Sequence, residues 1–151
     1  RKHPDGAIRF RTDIPDYSSL KHIEYNWEYS VYGDAQEELP PNMPPPRGNP
    51  VLTTTFEDAN LLHDLTTGRS CTGILHLVNQ TPIGWFSKLK TSVETATYGS
   101  EFVAARLASE QIMDLRYTLR MLGAPVDRKA YMFRDNQSVI TSSTIPHSSF
   151  I

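Results

Sequence analysis

The chain has 151 residues, 38% of them hydrophobic and 21% charged, with a formal net charge of −2. That composition suits one compact domain with an irregular extension and excludes a chain-wide basic signature for nucleic acid. A single cysteine, Cys71, excludes an internal disulfide and a cysteine zinc cluster, and no run approaches the ~20 apolar residues of a membrane span.

The opening, "RKHPDGAIRFRTD", is basic without an apolar centre and does not read as a signal peptide. Arg1 at one end and Ile151 at the other give the expectation of a piece of a longer polypeptide. Next comes "YNWEYSVYGD", with Tyr25, Trp27, Tyr29 and Tyr32. Their alternation predicts a strand or a docking segment. Such rings pack on a neighbouring domain or stack on nucleic-acid bases. Six of the eleven prolines then crowd into "PPNMPPPRGNP", Pro40 to Pro50. Neither a helix nor a central strand tolerates that density, so an extended linker and a boundary near residue 50 are predicted.

From Val51 the pattern tightens. "VLTTTFEDAN" is β-branched and predicts a strand through Phe56, with Asp58 near its end. "HDLTTGRS" predicts a polar turn, "CTGILHLVN" a second strand and, after "QTP", "IGWFSK" a third. Short polar turns between strands predict an antiparallel meander. Cys71 reads as a buried structural thiol, and His63 and His76 as ordinary turn and strand residues. From Tyr98 to Leu122 the period becomes helical: Ala105, Ala108, Ile112, Leu115, Leu119 and Leu122 recur at steps of three or four. Gly123 and Pro125 supply the stop. "AYMFRD" predicts a fourth strand, and Asn136 to Ser143 a short helix or turn. The order of elements gives an α/β layer fold, a mixed sheet with helices on its faces.

Three carboxylates stand at element ends. Asp58 is a turn residue or a site residue. Asp135 caps the next helix or belongs to a site at its strand's end. Glu101 shares a helix face with Ala105, Ala108 and Ile112; it complements the helix dipole or points inward toward the strand ends. Were the three to converge, their mutual repulsion would raise some of their pKa values, and a bound divalent cation would relieve it. Hard oxygen donors without His or Cys select Mg²⁺ or Mn²⁺, as in two-metal phosphoryl transfer.

The ordered pieces "FEDAN", "GRSCTG", "PIGWFSKLK", "GSEFVAA" and "RDNQSVI" resemble the ribonuclease H domain of copia-type retrotransposon Pol polyproteins, whose corresponding pieces run "DAD", "R-S-T-S-G", "P-I-S-W-S-S-K-K-Q", "E-A-E-Y" and "C-D-N-Q-S-A-I". The resemblance covers about Val51 to Ile151 and implies a ribonuclease H-like domain at 51–151, incomplete at its C-terminus. Residues 1–50 then resemble the connection segment that follows reverse transcriptase. The implied activity is metal-dependent cleavage of the RNA strand of an RNA–DNA hybrid, with Asp58, Glu101 and Asp135 holding Mg²⁺ or Mn²⁺. Arg69, Lys88, Lys90, Arg134, Gln137 and Ser138 become expected nucleic-acid contacts. Implied partners are the hybrid and the reverse transcriptase domain of the same polyprotein, with no membrane, in a cytoplasmic virus-like particle or the nucleus.

Two departures stand out. Asn60 replaces the second aspartate of "DAD" and is taken to point away from Asp58's neighbourhood. No Asp or Glu follows Asp135 up to Ile151, so a fourth acid is missing; His147 reads as a polar terminal residue rather than its substitute. The competing expectations are a degenerate module that still binds hybrid, and a structural unit that packs on the polymerase domain.

Overall fold

The computed structural model describes residues 7–20, 37–64, 66–91, 96–126 and 129–144. The aromatic run from Tyr25 to Tyr32, and His147, lie outside the described residues. Three strands come first: β1 (Thr53–Asp64), β2 (Arg69–Val78) and β3 (Thr81–Leu89). Helix α1 (Thr97–Met121) follows, then β4 (Tyr131–Phe133) and α2 (Gln137–Thr144). The sheet order is β3-β2-β1-β4. β1 to β3 form the expected antiparallel meander. β4 returns beside β1 and runs parallel to it. This mixed α/β sheet with two helices has the arrangement of a ribonuclease H-like fold. None of the helices among the described residues is long and apolar enough to cross a membrane.

The first strand is longer than its composition predicts. It runs through Asp58 to Asp64, so Asp58 is a mid-strand residue. Of the predicted turn, Asp64 remains paired, opposite Arg69 across a register shift. Alternation then fixes which side chains share a face. Thr55, Glu57 and Ala59 are buried, whereas Phe56, Asp58 and Asn60 are exposed. Asn60 is thus on the same face as Asp58, two residues away, and the expectation that it points elsewhere is corrected.

α1 lies over the buried side of β1 and β2. Ala104, Ala105 and Ala108 are at most 5% exposed; their small side chains let the helix approach the sheet closely. Polar threads tie the layers together. His76 Nδ1 bonds Thr55 Oγ1 at 2.9 Å and its Nε2 bonds Gln111 at 3.0 Å, so His76 joins β1, β2 and α1 in a structural role. Cys71 is half-buried rather than fully buried. The helix stops as the glycine and proline predict. Gly123 has φ +77°, its N–H donates to Arg120 O, and Ala124 N–H donates to Leu119 O. This is a Schellman closure, which requires a left-handed residue.

The proline-rich stretch is docked along this helix end. Arg47 N–H donates to Gly123 O at 2.8 Å and Val51 N–H to Pro125 O at 2.9 Å. Glu37, just before the prolines, meets two arginines of α1. Arg116 Nη2 lies 2.8 Å and Arg120 Nη1 2.7 Å from its carboxylate. The N-terminal segment crosses the opposite face of the sheet. Arg11 exchanges hydrogen bonds with Thr81, and Tyr17 packs on Tyr131 and Phe133 with ring centroids 4.8 and 5.1 Å apart.

Candidate active site

The question at the start of the last helix is whether Asp135 is spent on capping. It is not. Asn136 Oδ1 accepts the backbone N–H groups of Ser138 and Val139 at 2.9 and 3.2 Å, the pattern of an N-cap residue. Asp135 sits one position earlier, exposed, two residues past the end of β4. With the cap supplied by its neighbour, its carboxylate remains directed to the surface.

Parallel register sets the rest of the geometry. Phe56 of β1 faces Phe133 of β4, so continuing one and two steps brings Glu57 level with Arg134 and Asp58 level with Asp135. Asp58 and Asp135 line one open groove of ≈ 590 Å³, together with Phe56, Leu75, Trp85 and Phe133. Its floor is the sheet face away from α1. Glu57 and Arg134 also border this groove, but their side chains, 1% and 10% exposed, are buried, and their ion pair measures 3.0 Å.

Glu101 is also buried, 8% exposed in the first turns of α1. Burial raises its pKa, a hydrogen bond from Asn136 opposes the rise, and the charges of Asp135 and Asp58 add to it. Glu57 is raised as well, by burial first; Arg134 opposes, and the charges of Glu101, Asp58 and Asp135 reinforce. Four carboxylates therefore share one electrostatic neighbourhood, with Arg134 inside it. Among the described residues, no three Asp, Glu, His or Cys side chains form a group that could hold a metal ion. The donor chemistry matches a hard cation, but in this structure the three carboxylates do not draw together into a metal-holding group.

The expected nucleic-acid contacts divide in two. Arg69, Lys88, Gln137 and Ser138 are exposed. Lys90 instead donates to the Ser100 carbonyl and lies 3.3 Å from Ser100 Oγ, anchoring β3 to the start of α1. Arg134, read from the sequence as a surface cation, buries its guanidinium against Glu57. Glu57 and Asn136 are the site residues that reading by residue type missed. The first was legible only through its odd place in an apolar strand, and the second through its position after Asp135. Asn136 joins Glu101 to the start of α2, so Asn136→Asp should keep the cap but replace an amide donor with a carboxylate against Glu101. We expect a loss of about 1 kcal/mol in a urea unfolding titration at pH 7, shrinking below pH 4 as the new carboxyl protonates. A pH-independent loss would show that Glu101 does not feel residue 136.

This geometry belongs to a chain with a recognisable relative. Over 97 residues the sequence is 30% identical to the Retrovirus-related Pol polyprotein from transposon TNT 1-94 of Nicotiana tabacum. The chain is similar to part of a retrotransposon Pol polyprotein. The match covers 64% of this chain and only 7% of that polyprotein. No family model matches, and no solved structure does.

Proposed function

We propose that this chain is a ribonuclease H-like nuclease domain of a retrotransposon Pol polyprotein, cleaving the RNA strand of RNA–DNA hybrids. The observation that carries the reading is that Asp58 and Asp135 line one groove beside the β1–β4 pair, with Glu101 close enough to feel both charges. The similarity to a retrotransposon Pol polyprotein supports it. Asp58, Glu101 and Asp135 are the proposed holders of Mg²⁺ or Mn²⁺. Such ions, when bound, polarise a scissile phosphate and activate water. The chain's own contribution is to present one aspartate from β1 and one just past β4 to the same groove. Exposed Arg69 and Lys88, near one end of the meander, offer phosphate contacts, and RNA would be told from DNA through its 2′-hydroxyls. The proposed partners are the hybrid and the reverse transcriptase domain of the same polyprotein, in a cytoplasmic virus-like particle or the nucleus.

A second reading, a degenerate module that binds hybrid or packs on the polymerase domain without cutting, is favoured by one observation: the carboxylates do not form a ready metal-holding group among the described residues. The deciding experiment is Mn²⁺-dependent cleavage of end-labelled RNA within an RNA–DNA hybrid. RNA cut in the hybrid and spared as a single strand supports the nuclease. No cleavage, with hybrid binding that weakens steeply as salt rises, supports the binding module, because phosphate contacts release counterions. Absence of both leaves only packing on the polymerase domain.

A further inference from the structure

The parallel ladder between β1 and β4 is short. It covers Thr54–Tyr131, Thr55–Met132 and Phe56–Phe133. β4 has three residues and pairs with β1 alone among the described residues. Asp135 lies beyond the last paired position, so the backbone ladder does not itself hold it level with Asp58.

The next step of the register is occupied by side chains. Glu57 and Arg134 are its two members, and their buried charged groups meet at 3.0 Å. Each residue immediately precedes one of the groove aspartates. The contact is one of charge rather than an aligned hydrogen bond: Glu57 Oε1 and Arg134 Nη1 are buried without a hydrogen-bond partner. A second tether comes from the same guanidinium, whose Nη2 lies 2.9 Å from Met132 Sδ. Removing one member of a buried pair leaves an uncompensated charge and is costly, so the pair resists any slide or splay of β4 against β1. The exposed neighbours on the other parity move with the backbone that the pair fixes.

We propose that the Glu57–Arg134 ion pair is a positioning clamp that extends the β1–β4 ladder by one step and sets the spacing of Asp58 and Asp135. The inference rests on the nuclease reading for its purpose, but not for its geometry. Neither residue is catalytic in it; both act through the aspartates that follow them.

The test uses the full chain with Glu57→Gln, which keeps shape and removes charge, and Arg134→Lys, which keeps charge and loses the planar fork. Two quantities are read: amide hydrogen exchange at Met132 to Asp135 relative to the β1–β2 ladder, and Mn²⁺ affinity by calorimetry. In Glu57→Gln we expect about tenfold faster β4 exchange, and Mn²⁺ binding weakened by about tenfold, the usual scale for residues that orient ligands. Arg134→Lys should recover most of both. Should Glu57→Gln fail to fold, Arg134→Lys carries the test alone, with a smaller rise in β4 exchange expected. Glu37→Gln, at the far end of α1, is the control: it should lower overall stability and leave Mn²⁺ affinity alone. Unchanged β4 exchange overturns the clamp. Faster exchange with unchanged Mn²⁺ affinity also overturns it, since the aspartates would then be set by something else. If the wild-type chain binds no Mn²⁺ yet β4 loosens in Glu57→Gln, the metal-dependent nuclease reading fails and the clamp stands on the exchange data.

Discussion

Asp135→Asn is expected to abolish Mn²⁺-dependent cleavage of RNA in an RNA–DNA hybrid, with a loss of at least ~100-fold. Residues that merely orient a ligand cost 10–100-fold on removal, so a direct ligand should cost no less. The same substitution should hardly change stability. Asp135 is exposed, and the cap of α2 comes from Asn136. An exposed isosteric change of this kind falls within about 0.5 kcal/mol. Cleavage and urea unfolding of the two proteins, measured side by side, separate the role in a site from a role in the fold. Equal cleavage rates would remove Asp135 from the site. A large drop in stability would show instead that its carboxylate holds β4 or α2 in place.

Acid should release the segment around Glu37 from α1. Glu37 is held at about 2, below its ordinary 4.5, by hydrogen bonds from Arg120 first and Arg116 second, against the opposing effect of its own partial burial. Both arginines are 7% exposed. Arg116 also donates to Thr53 Oγ1 at 3.1 Å and Arg120 to the Val126 carbonyl at 3.0 Å. Because the folded pKa lies below the unfolded one, the stabilisation is fully present above pH 4.5. It is lost as the pH falls toward 2. Glu37 is one-third exposed, so solvent screening reduces its worth; we expect ~2 kcal/mol. Urea titrations of the wild type and Glu37→Gln should differ by that amount at pH 7, and the two curves should converge between pH 4.5 and 2. A gap independent of pH would mean that Glu37 acts through packing rather than charge.

Much of the architecture is local in origin and was legible. The meander follows from β-branched runs separated by polar turns. α1 follows from the spacing of Ala105, Ala108 and Ile112, and its end from Gly123 and Pro125. Glu101 was placed on the buried face by counting alone, and the structure puts it there at 8% exposure. Where local reading erred, it mistook polarity for irregularity. Asp58, Asn60 and Asp64 looked like the exit of a strand, yet β1 carries all three, because antiparallel pairing to β2 supplies their backbone hydrogen bonds whatever the side chain. The proline-rich stretch looked like a spacer. Its own composition keeps it extended, but Gly123, Pro125 and the two buried arginines decide that it lies along α1.

By itself, the sequence determined the order of the elements, the first half of the buried stripe of α1 and the three carboxylates worth testing, because each depends on a period or a stop signal within a few residues. In the second half of α1, Arg116 and Arg120 take the buried positions through their pairing with Glu37, and Leu122, expected in the stripe, is 77% exposed. Tertiary structure alone decided which of those carboxylates share a side of the sheet. Asp58 and Asp135 meet in the groove because β4 pairs with β1 in parallel register, and Glu101, buried on α1, comes within reach of both charges. Strand pairing between segments far apart in the chain sets that arrangement, and the alternation of side chains turns a shift of one residue into a change of face.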